Sequence, residues 1–105
     1  YYNEAIACQL ESNPGFKLVV FSDDIQWCKD NLNSEFVLFE GQGYEEDFAA
    51  MTLCSAAIIS NSTFSWWAAY LSGSKNVIAP KKWFGTGYTA AHDTSDLYCD
   101  NWEVL

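Results

Sequence analysis

Residues 57–73 read AIISNSTFSWWAAYLSG, and this stretch decides the fold. Residues 57–59 form a short apolar run. Four small hydrogen-bonding residues follow (Ser60, Asn61, Ser62, Thr63), and then a segment over 63–71 whose apolar residues recur at helical spacing, closed by Ser72-Gly73. A strand, a polar turn and a helix in succession make half of a βαβ unit. Residues 76–79, stopped by Pro80, supply the returning strand. The polar turn has two readings. Its hydroxyls cap the helix, or the helix start holds an anion, because the first-turn amides lack internal partners and carry about half a positive charge.

The same alternation extends upstream. Tyr2, Ile6 and Leu10 recur at helical spacing until Asn13-Pro14-Gly15 stops them. Residues 17–21 (KLVVF) are rich in β-branched residues and read as a strand buried on both faces. Residues 24–32 read as a helix with Ile25, Cys28 and Leu32 inward, and 36–39 as a second strand ended by the loop EGQG. A third helix over 45–54 opens with Glu45, Glu46 and Asp47, well placed against its dipole. Beyond Pro80 lies a Gly- and Thr-containing tail with no clear period. The expected architecture is one α/β domain over 1–105, three-layered and Rossmann-like, with a parallel sheet of about four strands. Ligands of such sheets bind at the carboxyl ends of the strands, so the loops at 22–24, 60–63 and 80–84 matter most.

Composition narrows the partners. The 105 residues are 50% hydrophobic and 17% aromatic, which excludes a disordered segment, and no apolar run approaches the length of a membrane span. The net charge of −9 argues against nucleic acid and anionic membranes as partners. Its distribution says more. No Asp or Glu occurs from Phe48 to His92, whereas Lys75, Lys81 and Lys82 all fall there. This acid-free stretch is either a buried segment or a place kept for an anion. Cys8, Cys28, Cys54 and Cys99 show no metal-ligand spacing and read as reduced core cysteines, three of them inside helices. They favour a reducing compartment.

Other features have both plain and functional readings. Ser22-Asp23-Asp24 is a helix cap, or the acidic metal pocket of a receiver-type signalling module; no Asp stands after the third strand to take a phosphoryl group. Asp47 is a solvated first-turn acid, or binds the N–H edge of a guanine or a ribose hydroxyl. Trp66-Trp67 read as packing, one toward the sheet and the other toward another element. Asn61-Ser62-Thr63 spells the glycosylation pattern, which a strand-to-helix turn disfavours. His92 reads as a surface residue. No nucleophile–base pair, carboxylate dyad, glycine-rich phosphate fingerprint or metal cluster is present.

Taken in order, FSDDIQWCKDNL, EEDFAAMTLCSAAIISNSTFSWWAAYL, VIAPKKWF and TSDLYCDNW resemble the carboxyl-terminal blocks of glycosyltransferase family 11, the α-1,2-fucosyltransferases. The resemblance implies the carboxyl-terminal, Rossmann-like half of a GT-B-like enzyme that transfers L-fucose from GDP-fucose to a galactoside acceptor with inversion. It implies no metal or other cofactor. Residue by residue, it assigns Asp47 to the guanine or its ribose, and Asn61, Ser62, Thr63, Phe64 and Ser65 to the diphosphate and its surroundings. It leaves Asp23 and Asp24 to support their loop. The family's arginine-bearing donor motif lies upstream of these blocks, and the chain has no arginine. The expectation is therefore a carboxyl-terminal fragment that lacks an amino-terminal domain, carries no catalytic residue of its own and is inactive alone. The parent would work in the cytoplasm or peripherally at the inner membrane of a bacterium, or at the Golgi membrane of an animal. The alternative is the non-catalytic receiver-like module.

Overall fold

The computed structural model describes residues 1–41, 43–84 and 95–105. It divides into two compact units, Tyr1–Asp47 and Phe48–Leu105.

In the first unit, helix α1 (Tyr2–Ser12) buries Ala5 and Ile6. It ends where the proline demands: the Asn13 amide returns to the Gln9 carbonyl at 2.9 Å, and the Phe16 amide closes the turn on the Asn13 carbonyl. Strand β1 (Val19–Val20) is followed by α2 (Ile25–Asn31) and β2 (Val37–Leu38). The two strands pair in parallel, Val19 with Val37 and Val20 with Leu38, as a crossover through a helix requires. Asn3 joins α1 to the exit of α2, donating from Nδ2 to the Asn31 carbonyl and accepting the Asn33 amide at Oδ1.

Two expectations fail in this unit. Val19 and Val37 are exposed, so β1 is not covered on both faces. A two-stranded ribbon sends alternate residues to opposite sides, and the side carrying the Val19–Val37 pair stays open. In α2, Cys28 is buried, but Ile25 stands out in solvent.

Helix α3 (Tyr44–Thr52) carries Glu45, Glu46 and Asp47 in its first turn and runs on into the second unit. There, β3 (Ala57–Ile58), α4 (Thr63–Ser72) and β4 (Val77–Ala79) form the βαβ unit that the opening stretch announced. The register is Ala57 with Val77 and Ile58 with Ile78. A short 3-10 turn (Ser95–Leu97) leads to β5 (Glu103–Val104), which pairs in parallel with β4. The observed sheets are therefore a parallel pair, β1-β2, and a parallel triplet, β3-β4-β5. Strand β5 was not foreseen.

All three residues of β4 are buried, because it lies at the centre of the triplet. Its Val77 and Ala79 form the core cluster with Ile59, Ala69, Trp83 and Trp102. Burying a side chain such as Ile59 or Val77 contributes about 1.5–3 kcal/mol. Ala68 and Ala69 are the apolar residues that α4 buries, beside Ser65, and with no side chain beyond Cβ they let the helix lie close to what it covers. The helix stops at Gly73, whose φ of 67° is the left-handed conformation that ends helices.

The adjacent tryptophans divide differently from expectation. Trp66 packs on the core, stacks on Tyr70 at 5.3 Å, and donates its indole N–H to the Leu97 carbonyl. Trp67 is 51% exposed and touches only its helix neighbours Trp66 and Tyr70 among the described rings. All four cysteines are free. Cys8 and Cys28 lie in helices, but Cys54 falls just past the end of α3, and burial raises its thiol pKa.

Candidate functional site

The second unit offers a site at the carboxyl edge of its sheet. There β3 leads into Ser60-Asn61-Ser62-Thr63 and α4, and the adjacent β4 leads into Pro80-Lys81-Lys82-Trp83. One bond clips the two loops together: the Asn61 side-chain amide donates to the Trp83 carbonyl at 3.0 Å.

Ser62 caps α4, its hydroxyl oxygen accepting the Ser65 amide at 3.1 Å. Ser65 is itself buried, and its hydroxyl lies 3.1 Å from the carbonyls of both Ser60 and Ser62. The hydroxyls of Ser62 and Ser65 approach to 2.8 Å, and that of Ser60 lies 3.2 Å from Ser62. Each serine has one proton to give. If Ser65 donates to a carbonyl, Ser62 donates to Ser65 and Ser60 to Ser62, and the cluster is internally satisfied. Thr63 differs. It is exposed, and neither its hydroxyl nor its amide has a partner among the described residues. Phe64 packs edge-on against Phe48, with ring centroids 5.4 Å apart.

The lysine loop is held by its backbone. The Tyr98 hydroxyl donates to the Pro80 carbonyl at 2.7 Å, and the Lys81 amide donates to the Leu105 carbonyl at 2.8 Å. The Trp83 ring is buried and lies edge-on to Tyr98. Anchored in this way, the loop leaves Lys81 and Lys82 exposed, and neither has an ion-pair partner among the described residues. Burial raises the Tyr98 phenol above its ordinary pKa, so it stays a donor at neutral pH. The edge thus joins a ten-residue helix start, an exposed threonine and two cations, an arrangement suited to a multiply charged anion.

The remaining predicted residues lie in the first unit. Asp24 caps α2, its Oδ1 accepting the Trp27 amide at 3.0 Å, while the Ser22 hydroxyl accepts the Asp24 amide. Asp23 is exposed with no partner among the described residues. Asp47 is half-buried in the first turn of α3, and its Oδ1 is buried without a partner. Among the described residues no three His, Cys, Asp or Glu side chains gather to hold a metal ion. His92 lies outside the described residues.

Sequence reading missed three contributors to the geometry: the Trp83 carbonyl, the Tyr98 hydroxyl and Gly41, where an added Cβ would collide with Asp47 Oδ1. The first two are backbone or long-range partners with no local pattern to announce them. Gly41 stood in plain sight within EGQG, read only as the end of a strand.

The profile described as Glycosyl transferase family 11 matches residues 1–105. The chain belongs to glycosyl transferase family 11. Among curated relatives, it is 32% identical to the O-antigen biosynthesis glycosyltransferase WbnK of Escherichia coli over 97% of this chain and 34% of that protein. It is 39% identical to an alpha-1,2-colitosyltransferase of Escherichia coli over 80% of this chain and 32% of that protein. It is 42% identical to the galactoside alpha-(1,2)-fucosyltransferase 1 of Homo sapiens over 56% of this chain and 18% of that protein. This family-11 chain therefore spans about a third of the length of the bacterial relatives, and it matches their carboxyl-terminal part. No solved structure matches it. No helix among the described residues is long and apolar enough to cross a membrane.

Proposed function

We propose that this chain is the donor-binding part of an inverting α-1,2-fucosyltransferase, which moves L-fucose from GDP-fucose to a galactoside acceptor in glycan or polysaccharide synthesis. The observation that carries the reading is the carboxyl edge of β3 and β4. A capped helix start and the exposed Lys81 and Lys82, without an ion-pair partner among the described residues, are clipped together there by Asn61 and Trp83. Family membership supplies the reaction class.

In this reading the diphosphate lies at the start of α4. The Thr63 amide and hydroxyl donate to it, Phe64 lines its flank, and Asn61, Ser62 and Ser65 hold the loop in shape. Asp47 takes the guanine or its ribose, and Asp23 and Asp24 support their loop. The acceptor hydroxyl oxygen attacks the anomeric carbon opposite the diphosphate. The bond from that carbon to the phosphate oxygen breaks, and GDP leaves with the electron pair. The acceptor's proton passes to a base outside this chain. The residues present help by stabilising charge on the departing diphosphate, the ordinary currency of such transfers. With lysines alone and no arginine, the chain by itself binds but does not turn over. The proposal takes the strands as part of one Rossmann-like domain in a GT-B-like enzyme. It needs no metal or other cofactor, and a membrane-associated parent is compatible with it.

A second reading keeps the site and changes the sugar, because one relative is named for colitosyl rather than fucosyl transfer. Titration calorimetry with GDP, and with UDP as control, tests the proposal. GDP binding in the micromolar to millimolar range with weaker UDP binding is expected. No heat from GDP at millimolar concentration ends the donor-binding reading. Fucosyl transfer by the 105-residue chain alone ends the claim that it is inactive.

A further inference from the structure

Among the described residues one buried side-chain oxygen lacks a hydrogen-bond partner, Oδ1 of Asp47. Buried polar atoms are nearly always paired, so its position calls for a cause. Against it lies Gly41. A Cβ at position 41 would collide with Asp47 Oδ1, and would stand 2.9 Å from Phe39 Cε1 and 3.2 Å from Glu46 Cβ. Gly73 is the glycine with positive φ among the described residues, so the backbone at Gly41 is one that any residue adopts. Glycine is needed at 41 for space, not for conformation. At Gly15 and Gly43, by contrast, an added Cβ would meet nothing within 4 Å.

We infer that Gly41 is a positioning residue for Asp47. By lacking a Cβ, it lets the carboxylate fold back toward the exit of β2 and keeps one acceptor oxygen unspent. The inference rests on the proposed nucleoside role of Asp47 and adds the residue that sets its carboxylate. An alanine at 41 has three neighbours, of which Glu46 Cβ is fixed to its backbone and the Phe39 ring packs against Phe21 at 5.1 Å. The Asp47 carboxylate is the free end, and it is displaced.

The test is a double-substitution cycle read by GDP titration calorimetry, with thermal unfolding of each protein. Gly41→Ala and Asp47→Ala are each expected to weaken GDP binding about tenfold, the loss of one charge-assisted hydrogen bond. The double variant should bind within about twofold of Asp47→Ala, because a displaced carboxylate no longer matters once it is gone. A general structural defect at 41 would instead weaken both backgrounds alike. Asp47→Glu gives a second measure without touching Gly41. The longer side chain overfills the same space and should also lose about tenfold. Unchanged affinity in Gly41→Ala or Asp47→Glu, beside a tenfold loss in Asp47→Ala, overturns the positioning role and leaves the nucleoside reading standing. Unchanged affinity in Asp47→Ala overturns both.

Discussion

Ser62 and Thr63 are adjacent, yet Ser62 caps α4 whereas the Thr63 hydroxyl bonds nothing among the described residues, so substituting each in turn separates holding the loop from the proposed holding of the ligand. Ser62→Ala removes the acceptor of the Ser65 amide and a hydroxyl 2.8 Å from that of Ser65. Loss of a serine cap costs about 1 kcal/mol. A partly buried hydroxyl left short of a partner costs about as much again. Together these come to about 2 kcal/mol, which lowers the melting midpoint of a small domain by roughly 8–16 °C. Thr63→Val removes an exposed hydroxyl that bonds nothing among the described residues, so stability should stay within about 0.5 kcal/mol. If that hydroxyl meets a phosphoryl oxygen, its loss costs about 1.5–3 kcal/mol of binding, or roughly 10–100-fold in the dissociation constant. Circular dichroism melts and GDP calorimetry on both variants, at one ionic strength, read the two axes. The expected result is a crossover, with Ser62→Ala unstable but binding at low temperature, and Thr63→Val stable but weak. A Thr63→Val chain that binds GDP as tightly as the parent sequence would refute the assignment of the helix start.

Three further outcomes are expected. Replacing Lys81 and Lys82 together by Gln should weaken GDP binding about 3–10-fold and flatten its dependence on salt, because each exposed cation is worth up to about 1 kcal/mol; titrations at two salt concentrations read both. Burial holds the Tyr98 proton above its ordinary 10.0, so the folded chain binds that proton more tightly than the unfolded chain. Its stabilisation is full below about pH 10 and is lost as pH rises through the folded value. Melts from about pH 9 to 11.5 should show a smaller alkaline loss in Tyr98→Phe. Gly73→Ala should cost about 1 kcal/mol, since its φ of 67° strains any side chain, and a denaturant midpoint shift measures it.

Legibility followed locality. The boundaries of α4 were readable because a serine cap and a left-handed glycine are local devices, and the buried run of β4 because a central strand wants apolar residues on both faces. Strand β5 was unreadable: its two residues are exposed and joined to β4 through the backbone alone, which leaves no side-chain pattern. The KLVVF run promised double burial by composition, but what covers a strand's second face is not encoded in the strand. The same holds for Trp67, which helical geometry turned away from Trp66 without guaranteeing anything for it to meet. At the site, the cluster 60–65 was found as a group, but the division of labour within it was not. Which hydroxyl caps, which is buried and which stays exposed depends on hydrogen-bond directions that no spacing rule supplies. The pairing of Gly41 with Asp47 was hidden for a related reason, as it needs coordinates to see whose atom fills the missing Cβ.

The tryptophans make the chain its own optical gauge. Trp27 and Trp67 stand out in solvent, where iodide reaches them, while Trp83 and Trp102 are shielded. Once the outer pair is quenched, the remaining emission comes largely from indoles in the interior of the second unit. One of these, Trp83, carries on its own carbonyl the bond that fastens Asn61. Any molecule that pulls on that fastening changes the colour or brightness of a buried fluorophore, so occupancy can be followed in solution without attaching a label.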